Sequence, residues 1–175
     1  MLIDQFLPSF NFSEHHIIAV NAVSGNVYDS IRNLNFKSSG ITKFLFRLRG
    51  LPSNATSLYG LQQMGFTLLG ERPNNEIVLG IVGKFWTFSG CIQFLTAKDF
   101  IDFKTQGYAK AVWNFALSET SLGVTILSTE TRILCLDKAS LMHFRLYWFF
   151  VRPFSGIIRR AVLKSIKRQL GGLTP

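Results

Sequence analysis

The sequence is short of the residues that build disulfide frameworks and metal centres. Cys91 and Cys135 are its two cysteines, and thiols so far apart set up neither a disulfide scaffold nor a zinc or redox spacing. Histidine is equally scarce. His15 and His16 are adjacent, so in a strand they point to opposite faces, and His143 has no His, Cys or carboxylate three or four residues on. No metal site, no cofactor motif and no set of nucleophile, base and orienting group can be assembled from these residues. Long apolar runs are missing too: Ile77 to Val82 and Leu146 to Val151 fall well short of the roughly 18 residues that cross a bilayer. Met1 to Phe10 lacks a basic leader and carries Asp4 and Pro8, which excludes a secretory signal. These absences predict a cytoplasmic protein, soluble or peripheral to a membrane.

Acidic residues are the last scarcity, and it is local. From Lys138 to Pro175 there are eight Lys or Arg and no Asp or Glu, whereas residues 1 to 137 hold eleven basic against ten acidic. The terminal segment is strongly basic on a nearly neutral body. Aromatics, in contrast, are plentiful: seventeen Phe and three Trp imply either dense packing or a cavity lined with rings. A chain of 175 residues fits one domain with its own core, and we read 1–175 as one unit with an ill-defined arm over 1–12.

Periodicity then orders the elements. Glu14 to Val20 is β-prone; Val27, Ile31 and Leu34 recur at helical spacing behind Ser24 as an N-cap; Ile41, Phe44, Leu45 and Leu48 suggest a second short helix. Residues 53 to 63 read as a loop in which Leu58 and Leu61 could dock a helical turn. Phe66 to Leu69 and Glu76 to Phe88 predict a hairpin around Arg72, Pro73, Asn74 and Asn75, with Gly80 and Gly83 marking a bend, a bulge or a close approach to the backbone. Thr96, Asp99 and Phe100 could open a helical turn.

Tyr108 to Leu117 and Val124 to Leu136 predict an antiparallel pair whose residue numbers sum to about 242. Ala109, Ala111, Trp113, Phe115 and Leu117 then share an apolar face with Leu127, Thr129, Thr131, Ile133 and Cys135. Lys110, Glu130 and Arg132 form a charge cluster on the other face, with Lys110 opposite Arg132. That cluster is either an outward, solvated patch or, if its face is the concave one, a holder for a ligand's polar head.

The segment from Lys138 to Leu170 is the longest helical pattern. Leu141, Phe144, Trp148 and Val151 make an apolar stripe, continued by Ile158, Val162 and Ile166 beyond Pro153. The proline predicts a kink or break near Arg152, with Ser155 as a cap for the second piece. Arg145, Arg152 and Arg159 recur at every seventh position, followed by Arg160, Lys164, Lys167 and Arg168. Such charges usually form a solvated face; the sharper alternative is an anionic membrane surface. Nucleic acid is not expected, because no recognition motif accompanies the charge.

The order strand, two short helices, antiparallel strands and one long aromatic-faced helix resembles the START-like helix-grip fold of the SRPBCC superfamily, which includes polyketide cyclases and lipid-transfer domains. Within it, Asn75 to Trp86, Gly107 to Phe115, Leu127 to Ile133 and Phe144 to Arg160 look like a bacterial group. The resemblance implies an α+β fold in which a curved antiparallel sheet wraps a long, Pro-kinked C-terminal helix over 138–170, leaving a cavity between them. It also implies a hydrophobic ligand, lipid or polyketide-like, held by residues from Trp86, Lys110, Trp113, Phe115, Glu130, Arg132, Phe144 and Trp148. Because members share a cavity and not a chemistry, a cyclase or hydratase using Glu130 as its acid stands as the alternative.

Overall fold

The computed structural model describes residues 1–33, 58–120 and 123–171. Among them the element order is α1 (Ile3–Phe6), β1 (Phe12–Val20), α2 (Ser24–Arg32), α3 (Leu58–Gln63), β2 (Thr67–Arg72), β3 (Glu76–Gly83), α4 (Ala97–Asp102), β4 (Ala109–Glu119), β5 (Thr125–Cys135) and α5 (Lys138–Gly171). The helix expected over Ile41 to Leu48 lies outside the described residues. The five strands form one antiparallel sheet in the order β1-β5-β4-β3-β2, so an α+β fold is realised with a long C-terminal helix.

One face of the sheet meets α2 and α5. Val27 and Ile31 of α2 and Val162, Leu163 and Ile166 of α5 pack on Leu79, Phe115 and Leu127, all buried. Leu141, Phe144 and Trp148 of α5 join a second cluster with Ala109, Ile133 and Cys135. The apolar period of α5 therefore faces where its spacing put it. Helix α5 does not break at Pro153, which lies inside a continuous helix. Proline leaves the carbonyl four residues earlier without its usual donor, and both Pro153 and Phe149 sit on the exposed face, where water can take the freed group. Ser155 is accordingly not a cap. The cap belongs to Asp137, whose carboxylate accepts from the Ser140 N–H at 2.9 Å and the Ser140 hydroxyl at 2.6 Å.

The opposite face is covered as well, by the segment read as an ill-defined arm. Leu2, Ile3 and Leu7 pack on Val78, Val82 and Val112 beside Phe100 of α4. The buried carboxylate of Glu76 accepts from the Leu2 N–H at 2.6 Å, the Ile3 N–H at 3.2 Å and Asn114 Nδ2 at 2.7 Å. An acceptor at the free N–H groups of a helix start satisfies donors that would otherwise be orphaned, and so ties α1 to the sheet. Thr96 and Asp99 form a reciprocal capping box at the start of α4.

Two local expectations are corrected, and one choice among alternatives is resolved. Ser24 is the first residue of α2 and not its cap; its N–H donates to Glu119 from across the fold at 3.2 Å. Strand β3 stops at Gly83, and residues 84–92 are a loop whose Gly90 carbonyl accepts from Lys84 N. Gly80 and Gly83 serve close approach rather than bending. A Cβ on Gly80 would lie 2.7 Å from a Leu69 methyl and 2.9 Å from the Phe100 ring, and one on Gly83 would lie 2.8 Å from the Gly90 carbonyl. The bulge itself is on β2, between Leu68 and Gly70.

The β4–β5 register also differs from expectation by two residues: Lys110 is opposite Leu134, and Val112 opposite Arg132. The hairpin turns one residue later because β4 runs on to Glu119, and Thr120 donates to the Val124 carbonyl from both its N–H, at 2.8 Å, and its hydroxyl, at 2.9 Å. An even shift changes each cross-strand partner and leaves both faces intact.

Candidate functional site

A cavity of about 450 Å³ lies between the sheet and α5. Its floor is Ile81 of β3, Ala111 and Trp113 of β4, and Thr131 and Ile133 of β5; its wall is Phe144, Tyr147, Trp148, Ser155 and Arg159 of α5; Met64, Phe66, residues 85–90 and Ile92 complete the lining. Strand alternation explains the floor, since residues two apart share a face, and small Ala111 leaves the space that its aromatic neighbours surround.

Phe144 is the centre of the aromatic wall. It is 2% exposed, and its ring lies 5.1 Å from Phe12, 5.6 Å from Tyr147 and 5.7 Å from Trp148, centroid to centroid, with Phe85 and Trp86 meeting it edge-on. Trp86 also stacks on His143 at 6.1 Å, which ties the 84–92 loop to α5. Trp113 is held between Phe66 and Phe115, and its indole N–H donates to Thr129 Oγ1 at 2.6 Å.

One end of the cavity is polar. Arg159 donates from Nε to Thr131 Oγ1 at 3.0 Å and from Nη1 to Glu14 Oε2 at 2.7 Å and to the Ser155 hydroxyl. Glu14 Oε1 is in turn 2.9 Å from His16 Nε2. Both members of the Arg159–Glu14 pair are nine-tenths buried or close to it, with side-chain exposures of 11% and 12%. Arg159 thus leaves the solvated heptad series in which Arg145 and Arg152 remain. A straight helix drifts about 20° per heptad, and two heptads on from Arg145 the position has turned towards the sheet.

Of the residues named from sequence, Trp86, Trp113, Phe144 and Trp148 line the cavity. Phe115 faces the same side but is buried in the core beyond it. Lys110, Glu130 and Arg132 lie on the other face, where Arg132 and Glu130 pair and Lys110 stands apart. Arg132 donates to Glu130 at 2.8 Å and to Asp4 at 2.7 Å beneath α1. Lys110 Nζ instead meets the carbonyls of Ile101 and Phe103 at the end of α4, at 3.1 and 3.4 Å, over the Phe100 ring, and its burial lowers its pKa. Neither the solvated patch nor the ligand-head reading describes this cluster: it is buried packing on the back of the sheet. Glu130 is outside the cavity, so the hydratase-like alternative loses its acid.

Sequence reasoning missed Arg159, Ser155 and Tyr147 as cavity residues and, Trp86 apart, the loop from 85 to 92. His15 is exposed while His16 faces inward, and Cys135 is buried, which pushes its thiol pKa up to about 12. Among the described residues no group of His, Cys, Asp or Glu could hold a metal, and no helix is long and apolar enough to cross a membrane. No protein-family model matches the chain, and no curated protein is significantly similar to it.

Proposed function

We propose that this protein is a START-like, helix-grip binding module that takes a hydrophobic small molecule, lipid or polyketide-like, between sheet and C-terminal helix. The cavity carries this reading. At about 450 Å³ it falls within the range of small-molecule sites, and it combines a mostly apolar lining, rich in aromatics, with a few convergent polar groups, the usual composition of such sites. Trp86, Trp113, Phe144 and Trp148 would bury the apolar body. Arg159, Thr131 and Ser155 would meet a polar end, so the ligand class is an amphiphile with one hydrogen-bonding head.

The test is a titration with fatty acids, sterols and aromatic polyketides, read by quenching of Trp86, Trp113 and Trp148, alongside native mass spectrometry of the purified protein. At least one class should bind saturably at one equivalent. Ala111→Phe, which fills the floor, should abolish that binding while the circular dichroism spectrum is kept. A flat response to all three classes, with no co-purified mass, would overturn the reading.

A further inference from the structure

The outer face of α5 is apolar where a solvated helix should be polar. Met142, Leu146, Phe149, Phe150, Phe154 and Ile157 are all exposed, Phe149 at 76% and Met142 at 75%. Their spacing of four, three, one, four and three places them on one side of the helix, a strip about 22 Å long at 1.5 Å per residue. The same side continues into Arg160, Lys164, Lys167 and Arg168, all exposed. Arg145 and Arg152 flank the apolar half, and no Asp or Glu occurs from 138 to 175. Phe88, 98% exposed, projects from the loop that Trp86 ties to α5.

We infer that this face docks on an anionic lipid bilayer, with α5 lying in the plane of the surface. Apolar side chains of the first half enter the boundary between headgroups and acyl chains, and the cations of the second half pair with headgroup phosphates, the division of labour that holds interfacial helices. The charge selects this occupant over a second copy of the chain, because two such helices would bring like charge together without one acid between them. The contact differs from a purely basic patch: Arg159 is withdrawn to the cavity, and the aromatic half supplies insertion that salt does not screen. It does not depend on the cavity being occupied.

Flotation with vesicles tests this on the protein without added ligand, so its outcome is separate from the cavity titration. The parent should float with phosphatidylglycerol vesicles at low salt and not with phosphatidylcholine. Leu146→Ser with Phe150→Ser should weaken flotation at least about tenfold, since two large apolar side chains are lost. Replacing Arg160, Lys164, Lys167 and Arg168 with Gln should weaken it at least about a hundredfold, and raised salt should do the same to the parent. All are surface changes, and unchanged melting temperatures would show the fold intact. A parent that ignores anionic vesicles at low salt overturns the inference. So does a serine variant that floats like the parent, or one whose only effect is to dissociate a dimer in sedimentation velocity.

Discussion

Arg159 Nη1 lies 2.7 Å from Glu14 Oε2, an ion pair that joins the second half of α5 to the edge strand β1 inside the wall of the cavity. Glu14→Gln keeps the side-chain shape and removes the charge, leaving the guanidinium facing hydroxyl acceptors. The loss in urea denaturation should be about 3 kcal/mol, whereas Glu14→Leu combined with Arg159→Leu should recover most of it, since apolar replacement of a buried pair is often tolerated. A loss below about 1 kcal/mol would class the pair with solvated surface bridges.

Phe144 should outrank every other aromatic of α5 in stability. It touches five rings and is sealed from solvent, so Phe144→Ala is expected to cost about 3–5 kcal/mol. Trp148 lines the same cavity but is partly exposed, so Trp148→Ala should cost less. Equal losses in thermal melts would contradict this ranking.

Asp137 gives the fold an acid-sensitive cap. Hydrogen bonds from Ser140, first its hydroxyl and then its N–H, with a further one from Gly107, lower the Asp137 pKa to about 2. A carboxylate with a depressed folded pKa stabilises above its unfolded pKa, near 3.9, and that contribution fades as pH falls towards 2. Asp137→Ala should therefore lower the melting temperature at pH 7, with the gap to the parent closing between about pH 5 and pH 2. A gap that is constant over that range would remove the linkage.

Gly80→Ala tests the close approach across β3. The added methyl meets Leu69 and Phe100, both buried, so overpacking should cost about 1–3 kcal/mol. Leu69→Ala in the Gly80→Ala background should then cost less than in the parent, a coupling that chemical denaturation of the four proteins reads directly.

Legibility followed the range of the forces involved. The stripe through Leu141, Phe144, Trp148, Val162 and Ile166 could be read because helical period is a local property, and the faces of β4 and β5 because alternation survives an even slip in register. The back of the sheet could not. Glu76, Lys110, Asn114 and Arg132 alternate like a solvent face, and only the distant α1 and α4, folded over them, turn those positions into interior. Arg159 was hidden for the same reason: its partner Glu14 is 145 residues away, and the drift of about 20° per heptad that separates it from Arg152 is too small to read without that partner. Four of the cavity's rings, Trp86, Trp113, Phe144 and Trp148, were visible within an excess of aromatics, whereas Ser155 and Tyr147 carry no signal until α5 is set against β5.

The pairing of β1 with β5, Phe12 against Ile133, also sets an order of events as the chain is made. At ordinary synthesis rates β1 waits roughly ten seconds for its partner to emerge, while β2, β3 and β4 can pair as each follows the last. Helix α5 comes later still and is needed to cover the inner face of both. For that interval β1 is an orphan strand with open hydrogen-bonding edges, the kind of segment that invites pairing with another chain. Its alternation of Ser13, His15 and Ile17 on one side with Glu14, His16 and Ile18 on the other keeps polar groups on both faces, which slows such errors until the sheet closes.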